Sequence, residues 1–208
     1  MIFDVKRRRA RLEAPGARPR SGPAARRPVD TLAILNRVSQ DPVDLDLLTA
    51  ALAIELVAQP LDARICLTLA PTARPDLTGM NWTLTVNSDH DEVRRRFSIA
   101  HAIGHVVMHA DLIGEGLSDD LSYRCPADGP QPNPRLTRDT ETAANRIATT
   151  VLLPRDAVCR RHAELGDLAA LARHFRVNPR MMRIRLDGLG LDTPGPDAAD
   201  QDTHADPD

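Results

Sequence analysis

The stretch FSIAHAIGHVVMH, residues 97–109, constrains this chain more than any other. It is an apolar, helix-compatible run that carries two histidines four residues apart, His101 and His105. Residues i and i+4 share one face of an α-helix, so the two imidazoles can turn toward one ion. The spacing is that of H-E-x-x-H, except that Ala102 stands where the motif has its glutamate. Zinc accepts such nitrogens at about 2.0–2.1 Å, and a catalytic site needs a third protein ligand beside an open position. His109 continues the stripe, but eight residues of helix rise put it roughly 12 Å from His101, too far to share an ion. It is expected at the helix C-terminus, where positive charge is favourable. The third ligand must come from another element. The segment from Leu136 offers Glu141, with Asn145 one turn on along the same face; Asp139 is the local rival.

Around this helix the hydrophobic pattern divides the chain into short elements. Leu32, Leu35 and Val38 recur at helical spacing, as do Leu45, Leu48 and Leu52 in DPVDLDLLTAALAIEL. ARICLTLAP (63–71) and NWTLTVN (81–87) alternate and are expected to be strands. The metal-type helix should run from about 90 to 110. Residues 111–135, rich in Gly and Pro, form a long connection of the kind that is usually functional. Helices follow at LTRDTETAANRIATTVLLP and PRDAVCRRHAEL. Two more are split by RVNPR, with Asn178 as N-cap and Pro179 at the first helical position.

Charge is distributed unevenly. Residues 1–29 carry nine basic side chains against Asp4 and Glu13, whereas the last 17 residues, from Asp192, carry six aspartates and no Lys or Arg. The first segment, 1–28, is too poor in apolar residues to fold and is expected to be a disordered arm; direct DNA contact through residues 1–29 is one use for it. The body is expected over 29–191, with 167–191 as a helical end segment, and 192–208 as a disordered acidic tail. Aromatics make up only 2% of the chain, so the core must be aliphatic. Cys66, Cys125 and Cys159 form no C-x-x-C pair, which fits a reducing, cytoplasmic setting; no signal peptide or membrane span is visible.

Two blocks in order, RRRFSIAHAIGHVVMH (94–109) and ETAANRIATTVLLP (141–154), give the chain a wider resemblance. It resembles the ImmA/IrrE family of bacterial zinc metallopeptidases. Arg96, Phe97, Ala100, His101, Gly104, His105 and His109 match that family's first block; Glu141, Asn145, Ala148, Leu152 and Pro154 match its second. The resemblance covers about residues 29–191. It implies an α+β, zincin-like metallopeptidase domain: a small mixed sheet packed on the metal-binding helix, with a helical C-terminal part. It makes His101, His105 and Glu141 ligands of Zn2+, with Asn145 and His109 as supporting residues around them. It also implies a protein partner, typically a helix-turn-helix transcriptional repressor, in stress response or mobile-element regulation.

The departure from the family is Ala102. Alanine can neither take a proton from water nor return one to a leaving amine, a loss typically worth 10²–10⁴-fold in rate. A metallo-endopeptidase scaffold with this residue is expected to be catalytically impaired, whether the change is natural or engineered. As a replacement base Asp111 is too far, ten residues along the helix and roughly 15 Å from His101. Glu115 and Asp119, in the long connection, could fold back over the site, and Tyr123 could donate a hydrogen bond to an oxyanion. The alternative is a non-enzymatic regulator that binds a transcription factor or DNA. In that reading Arg173, Arg176, Arg180, Arg183 and Arg185 belong to a DNA-reading helix pair, whereas packing of Leu168, Leu171, Ala172 and Phe175 would make the same helices part of the core.

Overall fold

The computed structural model describes residues 41–72, 80–113, 117–120 and 136–192, the last strand by its backbone alone. The N-terminal arm, the expected helix around Leu32–Val38, Glu115, Tyr123, Cys125 and the segment after Asp192 lie outside the described residues. Within them the chain forms six helices and a four-stranded sheet, an α+β arrangement.

The first helix, α1 (Leu45–Ala51), starts at Asp44, whose carboxylate accepts the backbone N–H groups of Asp46 and Leu47. It ends sooner than its hydrophobic pattern suggests. Leu52 caps it, Ala53 takes a left-handed conformation at φ 57°, and Ile54 opens β1 (Ile54–Gln59). The expected long helix is therefore a short helix and a strand. An alanine with positive φ carries no sequence signal, since glycine is the usual residue there.

Strand β1 lies parallel to β3 (Trp82–Asn87), which pairs antiparallel with β2 (Ile65–Pro71). The fourth strand, β4 (Leu117–Asp120), pairs antiparallel with β2 and gives the order β1-β3-β2-β4. The sheet is thus mixed. Leu67 opposite Val86, and Leu69 opposite Leu84, put four buried aliphatics on one face. Each such side chain contributes about 1.5–3 kcal/mol on full burial.

Across the sheet packs α2 (Glu92–His109), started by Asp91, whose carboxylate accepts from Arg94 N at 2.8 Å. From Ser98 to His105 every residue of α2 is buried, as expected of a helix enclosed on all sides. The helix α3 (Arg138–Leu152) runs antiparallel beside it, begun by a reciprocal pair of hydrogen bonds between Thr137 and Thr140. Gly104 sets the spacing: a Cβ there would lie 2.7 Å from the Ala144 carbonyl oxygen and 2.9 Å from its Cα.

Three helices complete the body: α4 (Arg155–Leu165), α5 (Leu168–Phe175) and α6 (Pro179–Leu189). Asn178 caps α6 and Pro179 occupies its first position. Leu171, Ala172, Phe175, Met182 and Leu186 point into the core with Leu152 and Val158, and Leu168 packs against it partly exposed. Two of the arginines of this region are tied into the body. Arg176 pairs with Glu92 at 2.8 Å, and Arg185 donates to the Leu153 carbonyl at 2.9 Å. Among the described residues no helix is long and apolar enough to cross a membrane.

Candidate metal centre

His101 and His105 project from successive turns of α2 toward α3, where Glu141 meets them. Their Nε2 atoms stand 3.0 Å apart. Glu141 Oε2 lies 3.4 Å from His101 Nε2, and Oε1 lies 3.2 Å from His105 Nε2. The three residues thus form a compact triangle in which each imidazole nitrogen faces its own oxygen of the Glu141 carboxylate. For a tetrahedral ion with ligand bonds of about 2.0–2.1 Å, the edge between two ligands is roughly 3.3 Å. The triangle has that size.

Chemistry supports the same fit. Lone pairs crowded together in a buried site repel unless a proton or a cation lies between them. Glu141 Oε1 is buried and no hydrogen bond is directed at it, although His105 Nε2 is near. Burial alone would raise the Glu141 pKa. The imidazoles of His101 and His105 outweigh it and hold the carboxyl far below the usual range, so Glu141 is an anion here. An anionic carboxylate and two imidazoles are a donor set suited to a divalent cation.

The groups behind the triangle orient it. Asn145, one turn after Glu141, places Oδ1 3.0 Å from His101 Nδ1. With Nδ1–H donating to that oxygen, the lone pair is on Nε2, the atom facing the triangle. Phe97 stacks on the other side of His101, with ring centroids 6.0 Å apart and an interplanar angle of 27°. His109 closes α2 with its ring 5.4 Å from that of His105 and its Nδ1 buried without a partner. Burial, followed by the neighbouring His105, lowers the His109 pKa, so the favourable charge expected at a helix end is not what governs this residue.

Of the other residues singled out in the sequence, Asp139 is exposed in the first turn of α3 and is not part of the metal group. Asp111 is exposed, beyond the end of α2. The side chains of Glu115, Asp119 and Tyr123 lie outside the described residues. Ala102 is 0% exposed and belongs to the hydrophobic core cluster. Phe97 and Gly104 are the site-building residues whose part could not be assigned from sequence. Both stand in the first matching block, but stacking on an imidazole and close helix contact appear only in three dimensions.

The family profile Peptidase_M78, described as the IrrE N-terminal-like domain, matches residues 61–187, which include both histidines and Glu141. Among solved structures the chain is similar to a Mycobacterium tuberculosis transcriptional regulator, with 21% identity and a TM-score of 0.45. That similarity covers 76% of this chain and 46% of the other, so it spans less than half of the regulator's length. No curated protein matches. By the extent of the profile match, the chain belongs to the Peptidase_M78 family of IrrE N-terminal-like domains.

Proposed function

We propose that this protein is a zinc-binding metallo-endopeptidase-type scaffold that acts on a protein partner, a helix-turn-helix transcriptional repressor, in stress response or mobile-element regulation. The observation that carries the reading is the triangle of His101, His105 and Glu141, whose edges of 3.0–3.4 Å suit a tetrahedral ion. Two nitrogens and a carboxylate oxygen favour zinc over the all-oxygen sites of magnesium and calcium. When bound, zinc supplies a polarised carbonyl and a water of lowered pKa.

The chain's own residues supply less. His101 and His105 would hold the ion through imidazole nitrogens, Asn145 orients the His101 ring through Nδ1, and Glu141 would contribute the negative charge. Ala102 provides no group to accept or return a proton. The scaffold is therefore competent to bind and to orient a partner, but impaired in turnover.

Elemental mass spectrometry on the purified full chain tests the metal. About one zinc per chain is expected, and none in His105→Ala or Glu141→Ala. A parent chain that stays metal-free after zinc is supplied would sink the proposal and leave the family fold serving binding alone.

A further inference from the structure

A second feature lies on the same helix seam as the metal group. Between α2, α3 and α6 is a cleft of about 510 Å³ whose walls include Phe97, Leu152, Met181 and Ile184, with Arg94 and Arg180 beside them. That volume is within the range, roughly 300–1,000 Å³, in which pockets enclose a ligand. The cleft does not include the metal group, but one side chain stands between the two. Phe97 lines the cleft on one side and stacks on His101. Four residues of helix separate the two, roughly 6 Å of rise. The cleft therefore lies about one helical turn from the metal group along α2.

The walls specify what fits. Ile184 is 59% exposed, the most exposed large hydrophobic residue of the described body, and it faces this opening. Both guanidinium groups lack an acidic partner among the described residues, and Arg94 Nε is buried without an acceptor. Asp91, the one carboxylate in the lining, already accepts from the Arg94 backbone N–H. An apolar floor beside two guanidinium groups and one carboxylate, a net positive lining, calls for bulky aliphatic side chains flanked by carboxylates.

We infer that this cleft is the docking site for a segment of the protein partner that presents bulky aliphatic residues flanked by Asp or Glu. This rests on the proposed partner-binding function and adds the chemistry by which the partner is chosen. The chain's own ends fit poorly. Residues 193–208 carry five aspartates but no Leu, Ile, Met, Val or Phe to cover the floor, and residues 1–28 are basic like the cleft. A second copy docking through the same patch would set Arg94 and Arg180 against themselves, an unfavourable contact for a two-fold interface.

The test is fluorescence anisotropy on the zinc-supplied full chain. The probe is a labelled peptide with two leucines flanked by Asp and Glu; the same peptide with Lys for every acid, and with Ala for both leucines, are the controls. The acidic leucine peptide should bind and both controls should bind at least about tenfold more weakly, a difference of 1.4 kcal/mol. Ile184→Glu and Arg180→Glu, both exposed positions, should each weaken it by about tenfold or more. Leu165→Glu, an exposed apolar position at the end of α4, should leave it unchanged. Equal binding of the lysine peptide, or no effect of Ile184→Glu, would overturn the inference. So would tighter peptide binding after deletion of residues 193–208, which would place the chain's own tail in the cleft. Self-association abolished by Ile184→Glu would assign the surface to a second copy instead. Zinc content is measured on the same samples. Peptide binding without zinc refutes the metal reading and leaves the cleft, whereas zinc without peptide binding refutes the cleft alone.

Discussion

Ala102 follows His101 of the candidate metal group, yet none of its surface reaches solvent and its methyl group is part of the hydrophobic core. Restoring glutamate there does two things at once: it supplies the missing base and places a carboxylate in an enclosed position. Burying a charge without a partner costs several kcal/mol, more than burying an amide of the same shape. Ala102→Glu should therefore lower the melting temperature of the metal-free chain more than Ala102→Gln does, by scanning calorimetry. Zinc-dependent cleavage of the partner is expected from Ala102→Glu only. Equal melting temperatures for the two variants would show that position 102 opens toward the metal group. Asn145→Ala should keep both histidines and Glu141 in place but weaken metal affinity about 10–100-fold, read by competition with a chelator. Glu141 gives a pH dependence to the metal-free chain. Its folded pKa lies below the ordinary value of 4.5, so its stabilising contribution is full above that value and is lost as pH falls below it. Glu141→Gln should flatten that acid limb in urea titrations. At this scale the sequence was informative because the histidine pair is local: four residues on one helix fix a shared face. The choice between Glu141 and Asp139 was not local, since it depends on the rotation of α3 against α2.

The packing of α2 against α3 puts that rotation in the hands of Gly104. Adding one methyl group would force it to 2.7 Å from the Ala144 carbonyl oxygen, and a backbone atom cannot turn aside as a side chain can. Gly104→Ala is expected to cost about 1–3 kcal/mol by overpacking, against the small gain alanine brings to a helix. Because α3 carries Glu141, the same variant should also lose zinc affinity with all three ligands intact. Unchanged affinity by competition with a chelator would show that the helices can shift without moving the carboxylate. Elements with a clear period were legible: β2, β3, α2 and the start of α6 follow from alternation, helical spacing and the residues Asn178 and Pro179. Strand β1 was not, because Leu56 continues the four-residue spacing of Leu48 and Leu52, and the break between α1 and β1 falls on Ala53. Strand β4 was also hidden. Its four residues, Leu117–Asp120, pair with β2 and have little pattern of their own.

For the molecule as a whole, one carboxylate joins the beginning of the described body to its end. Asp41 accepts from Arg161 Nε at 2.7 Å on α4 and meets His174 Nε2 at 2.8 Å on α5, across 120 and 133 residues of sequence. Asp41→Asn should lower the urea midpoint without changing the m-value, because the contact is lost while the surface exposed on unfolding stays the same. A lower m-value would instead mean that the C-terminal helices come away as a unit. The family blocks made the fold class legible at this scale, whereas the Asp41 contact left no sequence signal because its partners are so distant. The triangle of His101, His105 and Glu141 is a long-range contact of the same kind, and it carries a consequence for persistence. Its donors converge only when α2 and α3 are packed, so under the proposed zinc binding metal occupancy and folding would belong to one equilibrium. Free zinc at about a hundred times the dissociation constant adds about 2.7 kcal/mol of stability, and chelation removes it. Limited proteolysis across a series of buffered zinc concentrations should show survival rising with the free ion. On the proposed zinc binding, a cell starved of the metal would clear this protein faster, and its abundance would follow metal supply without any change in its synthesis.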